Sequence, residues 1–509
     1  VIDSNDQFLG HPKGLYVCFA TEMWERFSFY GMKYLLLLYL TKYHLFTDTM
    51  GLDVLGSYAA LVYSTPVIGG LLADRYLGMR KAVIFGGCLL ALGHFGMAIE
   101  GSQAQYQNGE IIRDESALQV FYFSMALIIV GVGFLKPNIS TIVGKLYGIN
   151  DPRRDSGFTL FYMGINIGAF VATLLCGYLG ETWGWRYGFG VAGIGMLIGL
   201  IIFLYGQRHL RGLAEPHDPI LLKQRILFGL NRESLIYLGG LISLLGIWQL
   251  VQSPHSVELS LNGLALLVAL GLLWFILARC NPVERGRMTV LMTLTFSTVV
   301  FWALFEQTAA SMTLYADRVV DRSIFGFDIK ASQFGALNPL FIMLLAPLFA
   351  SLWTTLSKRK CEPNTPVKFS LGIIQAGLGF GALVLGASFP NETGQVAAIW
   401  LVLAYLLHTT GELCLSPVGL SAVTKLSVPR IVGLMMGTWF LATAYSEFVA
   451  AQIAKLAAID VTVGQQIDTA SALVSYTNLF GTLFIVGCGA GVLLLLLCPI
   501  LKKHMHGIH

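Results

Sequence analysis

Thr21-Glu22-Met23-Trp24-Glu25-Arg26-Phe27-Ser28-Phe29-Tyr30-Gly31-Met32-Lys33 is the stretch whose reading decides the fold. It lies inside an apolar segment over about 15–40, long enough to cross a hydrocarbon core of roughly 30 Å as a helix. Yet it carries two acids and two bases, and a charge at membrane depth costs at least ~2.5 kcal/mol. Such groups persist where they pair with one another or face a watery cavity. At about 100° per residue, Glu22, Arg26, Phe29 and Lys33 fall on one stripe, flanked by Glu25 and Tyr30. A structural pair, Glu22 with Arg26, would lock two helices together. Four ionisable groups on one stripe exceed that need, and the stripe reads as the wall of a pathway.

The rest of the chain agrees with a membrane setting. Of 509 residues, 55% are hydrophobic and only 12% charged, about half the charge of a soluble protein. Glycine is abundant, as close helix packing in lipid favours. The net charge of +4 is too small to point to nucleic acid. Eight scattered cysteines form no Cys-x-x-Cys, so they read as small apolar residues, neither a disulfide framework nor a metal site. The short polar start, 1–13, lacks the pattern of a cleaved signal, so the first apolar segment is read as a retained helix.

Fourteen apolar spans follow, near 15–41, 53–73, 80–100, 117–146, 156–180, 186–206, 235–252, 259–279, 288–315, 332–357, 367–388, 395–425, 430–457 and 472–501. They are too long for the strands of a membrane barrel. An all-α integral membrane protein is expected. Lys and Arg crowd one set of loops, among them Arg75, Arg80, Lys81, Arg153, Arg154, Arg208, Arg211, Lys358, Arg359, Lys360, Lys502 and Lys503. That side is expected to be cytoplasmic, with both termini on it.

Internal symmetry is legible in prolines. Pro66 in the second span answers Pro339 in the tenth, and Pro137 in the fourth answers Pro417 in the twelfth. Matching interruptions in two halves point to a mid-membrane site. The expected organisation is a tail (1–14), a six-helix bundle (15–206), a linker with an inserted two-helix hairpin (207–287), a second six-helix bundle (288–501) and a tail (502–509).

The motif Glu22-x-x-Glu25-Arg26-Phe27-x-x-Tyr30-Gly31 resembles the first-helix signature of the proton-dependent oligopeptide transporter family, within the major facilitator superfamily. The usual Tyr-Tyr-Gly is here Phe29-Tyr30-Gly31, so one phenolic hydroxyl is missing. Gly69-Gly70-Leu71-Leu72-Ala73-Asp74-Arg75 through Lys81 is similar to the superfamily's cytoplasmic loop signature. Lys136 in Gly-Phe-Leu-Lys-Pro-Asn, Asn166, Glu306, Asn338, Glu412 and Trp439-Phe440 each resemble family motifs, in the right order. The resemblance spans nearly the whole chain. It implies the major facilitator fold with fourteen transmembrane helices, since many bacterial members carry the inserted hairpin.

The chemistry is coherent without the family. A zwitterionic di- or tripeptide needs a basic and an acidic patch. The first half supplies Arg26, Lys33 and Lys136; the second supplies Glu306 and Glu412. A cavity between the halves is expected to be polarised and lined loosely by aromatics, Tyr30, Tyr63, Trp302 and Trp439 among them, to tolerate many side chains. Lipid contact or core packing is the plain alternative for each aromatic. By resemblance, Arg26 and Lys136 take the peptide carboxylate; Glu412, with Asn166, Asn338 and Ser416 nearby, takes the amino end and backbone. Glu22, Glu25, Arg26 and Glu306 are the proton-coupling set. Lys33 with Glu306 and Lys136 with Glu412 are candidate gate pairs, static bridges being the alternative. His94 and His408 read as packed histidines rather than proton sites.

The expected function is a proton-coupled importer of di- and tripeptides working by alternating access. A superfamily carrier of nitrate, a drug or a sugar is the alternative. No nucleophile elbow, His-Glu-x-x-His or phosphate loop supports an enzyme. Expected partners are peptides, protons and the lipid bilayer, without nucleic acid. The chain is expected to be a monomer in a bacterial inner membrane, with no cofactor beyond the coupling proton.

Overall fold

The computed structural model describes residues 7–148, 151–227, 229–324, 326–459 and 467–507, without the side chains of Leu227, Pro417 and Leu420. The extreme ends of both tails therefore lie outside the described residues, and of Pro417 only the backbone is described, within a continuous helix. Fourteen long helices occur among the described residues: α1 Lys13–Lys42, α2 Asp48–Leu72, α3 Met79–Met97, α4 Glu115–Lys145, α5 Arg154–Trp183, α6 Trp185–Gly206, α7 Arg232–Val251, α8 Pro254–Arg279, α9 Pro282–Phe305, α10 Leu337–Lys358, α11 Thr365–Gly386, α12 Ala398–Leu426, α13 Val432–Ala454 and α14 Thr469–His504. Eleven helical segments among the described residues are long and apolar enough to cross a membrane by length and composition. The chain α1, with its four buried charges, is not among those eleven.

Local chemistry sets the ends. Asn281 caps α9 in a reciprocal box with Glu284, and Pro282 occupies the first turn, where its missing N–H costs nothing. Asn364 caps α11 and Asp468 caps α14. The expected spans meet these helices with two informative differences. The span 288–315 is broken at Ala310, between a turn of 3₁₀ helix at Glu306–Ala309 and a short helix Ser311–Arg318. No Gly or Pro marks that break. It is held by Gln307, whose Nε2 donates to the Ala450 carbonyl at 2.9 Å and whose Oε1 accepts from Ser311 at 2.6 Å. The second difference concerns the prolines: α2 runs through Pro66 and α4 through Pro137 without interruption. Asn138 Nδ2 donates to the Phe134 carbonyl at 2.7 Å beside Pro137, satisfying backbone next to the site of the lost N–H.

The helices gather into two compact units. Unit 1 comprises 1–45 and 61–254; unit 2 comprises 46–60 and 255–509. Within unit 1, α1 packs on α5 and α6, and α3 packs on α4 and α6. The same pattern recurs within unit 2, where α9 packs on α13, and α11 on α12 and α14. This shared pairing is the structural form of the internal repeat. Close approach is decided by small residues: a Cβ on Gly168 of α5 would lie 2.1 Å from the Met23 carbonyl oxygen of α1. The helix α7 packs on α4 within unit 1, where Leu244 joins a cluster with Leu89, Val130 and Phe134. The helix α8 belongs to unit 2 and meets α13 through a hydrogen bond from Tyr445 to Asn262 at 2.9 Å.

The first turns of α2 belong to unit 2. Asp48 receives both guanidinium nitrogens of Arg318 at 2.6 Å, and its Oδ2 also accepts from the Ile459 N–H at 2.8 Å. Lys455 pairs with Asp53 one turn on. Arg318 is half-buried against Asp48, which is itself buried.

Candidate functional site

The stripe on α1 is buried as a cluster. Glu22, Glu25, Arg26, Phe29 and Lys33 all lie inside unit 1. Arg26 forks onto Glu25, with Nη2 donating to Oε1 at 2.5 Å and Nε to the other oxygen. Such bidentate pairs are the strong form of the contact. Glu22 stands 3.5 Å from the same Nε, one helical turn earlier. Its Oε2 is buried with no hydrogen-bond partner among the described residues. The guanidinium also sits over the rings of Phe29 (4.8 Å) and Tyr30 (6.0 Å).

Two further cations join through one aromatic ring. The Lys136 ammonium of α4 lies 4.4 Å from the centre of Tyr63 of α2, and that of Lys33 lies 5.9 Å from the same ring. Unit 1 therefore brings Glu22, Glu25, Arg26, Tyr30, Lys33, Tyr63 and Lys136 near one another. Three bases, Arg26, Lys33 and Lys136, and two acids, Glu22 and Glu25, make up the charged part of this cluster. Asn166 of α5 is buried, and its amide donates to the Tyr162 carbonyl of its own helix at 3.0 Å.

Unit 2 holds a different cluster. Glu412 of α12 is buried and accepts from Asn338 Nδ2 of α10 at 2.9 Å; the same amide reaches Thr409 Oγ1 at 3.1 Å. Asn338 thus orients a carboxylate between two helices. Trp439 of α13 is buried, edge-on to Phe369 at 6.4 Å. Trp302 packs against Phe301 and Phe305 of its own helix, and Glu306 opens the 3₁₀ turn that follows. Ser416 is exposed, one turn beyond Glu412.

The two histidines are packed. His408 shares a hydrogen bond at 3.0 Å with the Ala376 carbonyl, and His94 is buried with both ring nitrogens unpartnered among the described residues. Sequence reasoning missed Glu447, buried in α13. The signal was present, a lone acid inside an apolar span, and was overlooked. It also missed the Asp48–Arg318 pair, which no spacing rule reveals because the partners are far apart in sequence. Asp74 of the loop signature is exposed and makes no hydrogen bond or ion pair among the described residues.

Comparison with known proteins places this arrangement. A model of the POT family matches residues 80–468. The chain is 36% identical to the peptide transporter YePEPT of Yersinia enterocolitica, covering 97% of this chain and 95% of that protein. It is 36% identical to a di-/tripeptide transporter of Lactococcus lactis, covering 88% and 90%. A crystal structure of a mutant of peptide transporter POT in complex with alafosfalin superposes with a TM-score of 0.80, at 35% identity, covering 98% of this chain and 97% of that one. The chain belongs to the POT family, a class of multi-pass membrane transporters rather than enzymes, and shares the family's major facilitator fold.

Proposed function

We propose that this chain imports di- and tripeptides together with protons by alternating access, as a monomer in a bacterial inner membrane with both termini in the cytoplasm. The observation that carries the reading is the different make-up of the two charged clusters, three cations in one and a carboxylate held by an amide in the other. Unit 1 has Arg26, Lys33 and Lys136 against Glu22 and Glu25. Unit 2 presents Glu412 held by a neutral amide. The carboxylate of a zwitterionic peptide suits the first and its ammonium the second. Arg26 and Lys136 take the carboxylate; Glu412 takes the amino end, with Asn166, Asn338 and Ser416 for the backbone. Tyr30, Tyr63, Trp302 and Trp439 supply walls that tolerate varied side chains. The relatives named as peptide and di-/tripeptide transporters support this substrate class.

Proton coupling follows from competition for one guanidinium. Arg26 is already engaged by Glu25 and Glu22. An incoming carboxylate displaces one of them, and a carboxylate left without its partner in a dry site is neutralised by a proton. Peptide and proton occupancy become linked. Lys33 with Glu306 and Lys136 with Glu412 are proposed as alternating gate pairs, and Lys136 and Glu412 are then released by the two ends of the substrate. The excess of Lys and Arg on one set of loops supports the orientation.

The test is uptake of a labelled dipeptide into vesicles holding the purified chain under an inward proton gradient. Accumulation that unlabelled di- and tripeptides compete away, and that nitrate or sugars leave untouched, is expected. No gradient-driven uptake by correctly folded protein would overturn the proposal.

A further inference from the structure

Unit 2 contains a second cationic place, at the end where α10, α12 and α14 finish and α11 begins. A cavity of about 870 Å³ opens there, and Lys360, Lys368, Lys425 and Lys502 line it. Among the described residues, the one acidic member of its lining is Glu362. That carboxylate is committed: Lys368 Nζ donates to its Oε1 at 2.6 Å and holds it below the ordinary carboxylate range. Lys368 is itself buried, with its ammonium 4.5 Å from the Trp353 ring. Four lysines and one glutamate thus line a single concavity, and the glutamate is engaged by Lys368.

The rest of the lining is of another character. Leu426 and Met505 are almost wholly buried, and with Val418 and Ala422 of α12 they give the lining an apolar part, whereas Lys360, Lys425 and Lys502 are exposed. Ser421 and Thr365 add hydroxyls to the lining. Exposed cations beside a buried apolar part, at the depth where membrane helices end, match an anion joined to an apolar body. Basic pockets between helix ends on the lysine-rich side of a membrane suit phosphate headgroups. None of these side chains belongs to either cluster assigned to peptide or proton.

We propose that this cavity binds a phosphate-bearing anion, filled in the membrane by the headgroup of an anionic phospholipid. Lys360, Lys425 and Lys502 contact the phosphate, the hydroxyls take its remaining oxygens, and the glycerol end rests on Leu426 and Met505. Bound there, the headgroup ties the ends of α12 and α14 to the start of α11.

The test titrates the full-length chain, delipidated in neutral detergent, with short-chain phosphatidylglycerol, read by native mass spectrometry and by the thermal midpoint. One saturable copy and a rise in midpoint are expected. The double variant Lys425→Gln/Lys502→Gln should bind about 30-fold more weakly, whereas Arg208→Gln/Arg211→Gln in unit 1 should bind as the parent does. Both lysines are exposed, and Lys502→Arg, which keeps the charge, should retain binding. Competition by inorganic phosphate alone would assign the site to a free phosphate group; competition by phosphatidylglycerol but not phosphate would assign it to the lipid. Equal binding by the parent and the double variant, or equal binding of phosphatidylcholine, would overturn the proposal.

Discussion

Lys136 is the cation of unit 1 with capacity to spare. Arg26 is forked onto Glu25 and lies near Glu22, whereas Lys136 has no ion pair within 4.0 Å among the described residues and rests on the Tyr63 ring. Lys136→Ala removes one of the three positive charges of the cluster and leaves Arg26 and Lys33 beside Glu22 and Glu25. A hydrogen bond to a charged group is worth about 1.5–3 kcal/mol, so half-saturation for a dipeptide should rise about 10- to 150-fold. The contact with Tyr63 is lost for every substrate alike and drops out of a comparison. The assay is therefore uptake of a dipeptide beside its carboxy-terminal amide, in parent and variant. The amide should lose less than roughly threefold, and Lys136→Arg should restore much of the difference. Equal losses for both substrates would refute the assignment of Lys136 to the carboxylate.

Other expectations follow from the same geometry. Glu25→Gln keeps a partner for Arg26 but not the charge, so gradient-driven accumulation should vanish while exchange of peptide for peptide survives; equal loss of both would remove Glu25 from the coupling. Asp48→Asn strips Arg318 of its bidentate partner, and breaking one side of a buried pair costs about 3–5 kcal/mol. Its thermal midpoint should fall by several degrees, and Asp48→Asn/Arg318→Met should recover part of the loss; a double variant worse than the single would count against this reading. His44, in the loop after α1, is pushed down to about 4 by burial and by Arg113. Its ring therefore stays neutral as pH falls from 7 to 5, and His44→Gln should leave the pH midpoint of uptake where it was; a displaced midpoint would contradict this.

Much of the fold was legible because lipid imposes a simple rule: long apolar runs become helices. Boundaries suffered where polarity is satisfied inside the protein. The second span was expected from 53, but α2 begins at Asp48, whose charge is neutralised by Arg318. The ninth was expected from 288, but α9 begins at Pro282, because Glu284 serves its cap and Arg285 turns back onto the carbonyls of α8. The break at Ala310 rests on Gln307 and the distant Ala450 carbonyl, a tertiary cause with no local mark. In the site, the stripe Glu22, Arg26, Phe29 and Lys33 followed from helical periodicity alone. The convergence of Lys33 and Lys136 on Tyr63 joins three helices, so spacing within any one of them could not reveal it.

Imaging the full chain with a dipeptide bound is the most direct examination of how opposite buried charges are used. Expected is the peptide carboxylate within hydrogen-bond distance of Arg26 and Lys136, with the ammonium on Glu412. A peptide lying the other way round, or held by neither cluster, would contradict the central claim.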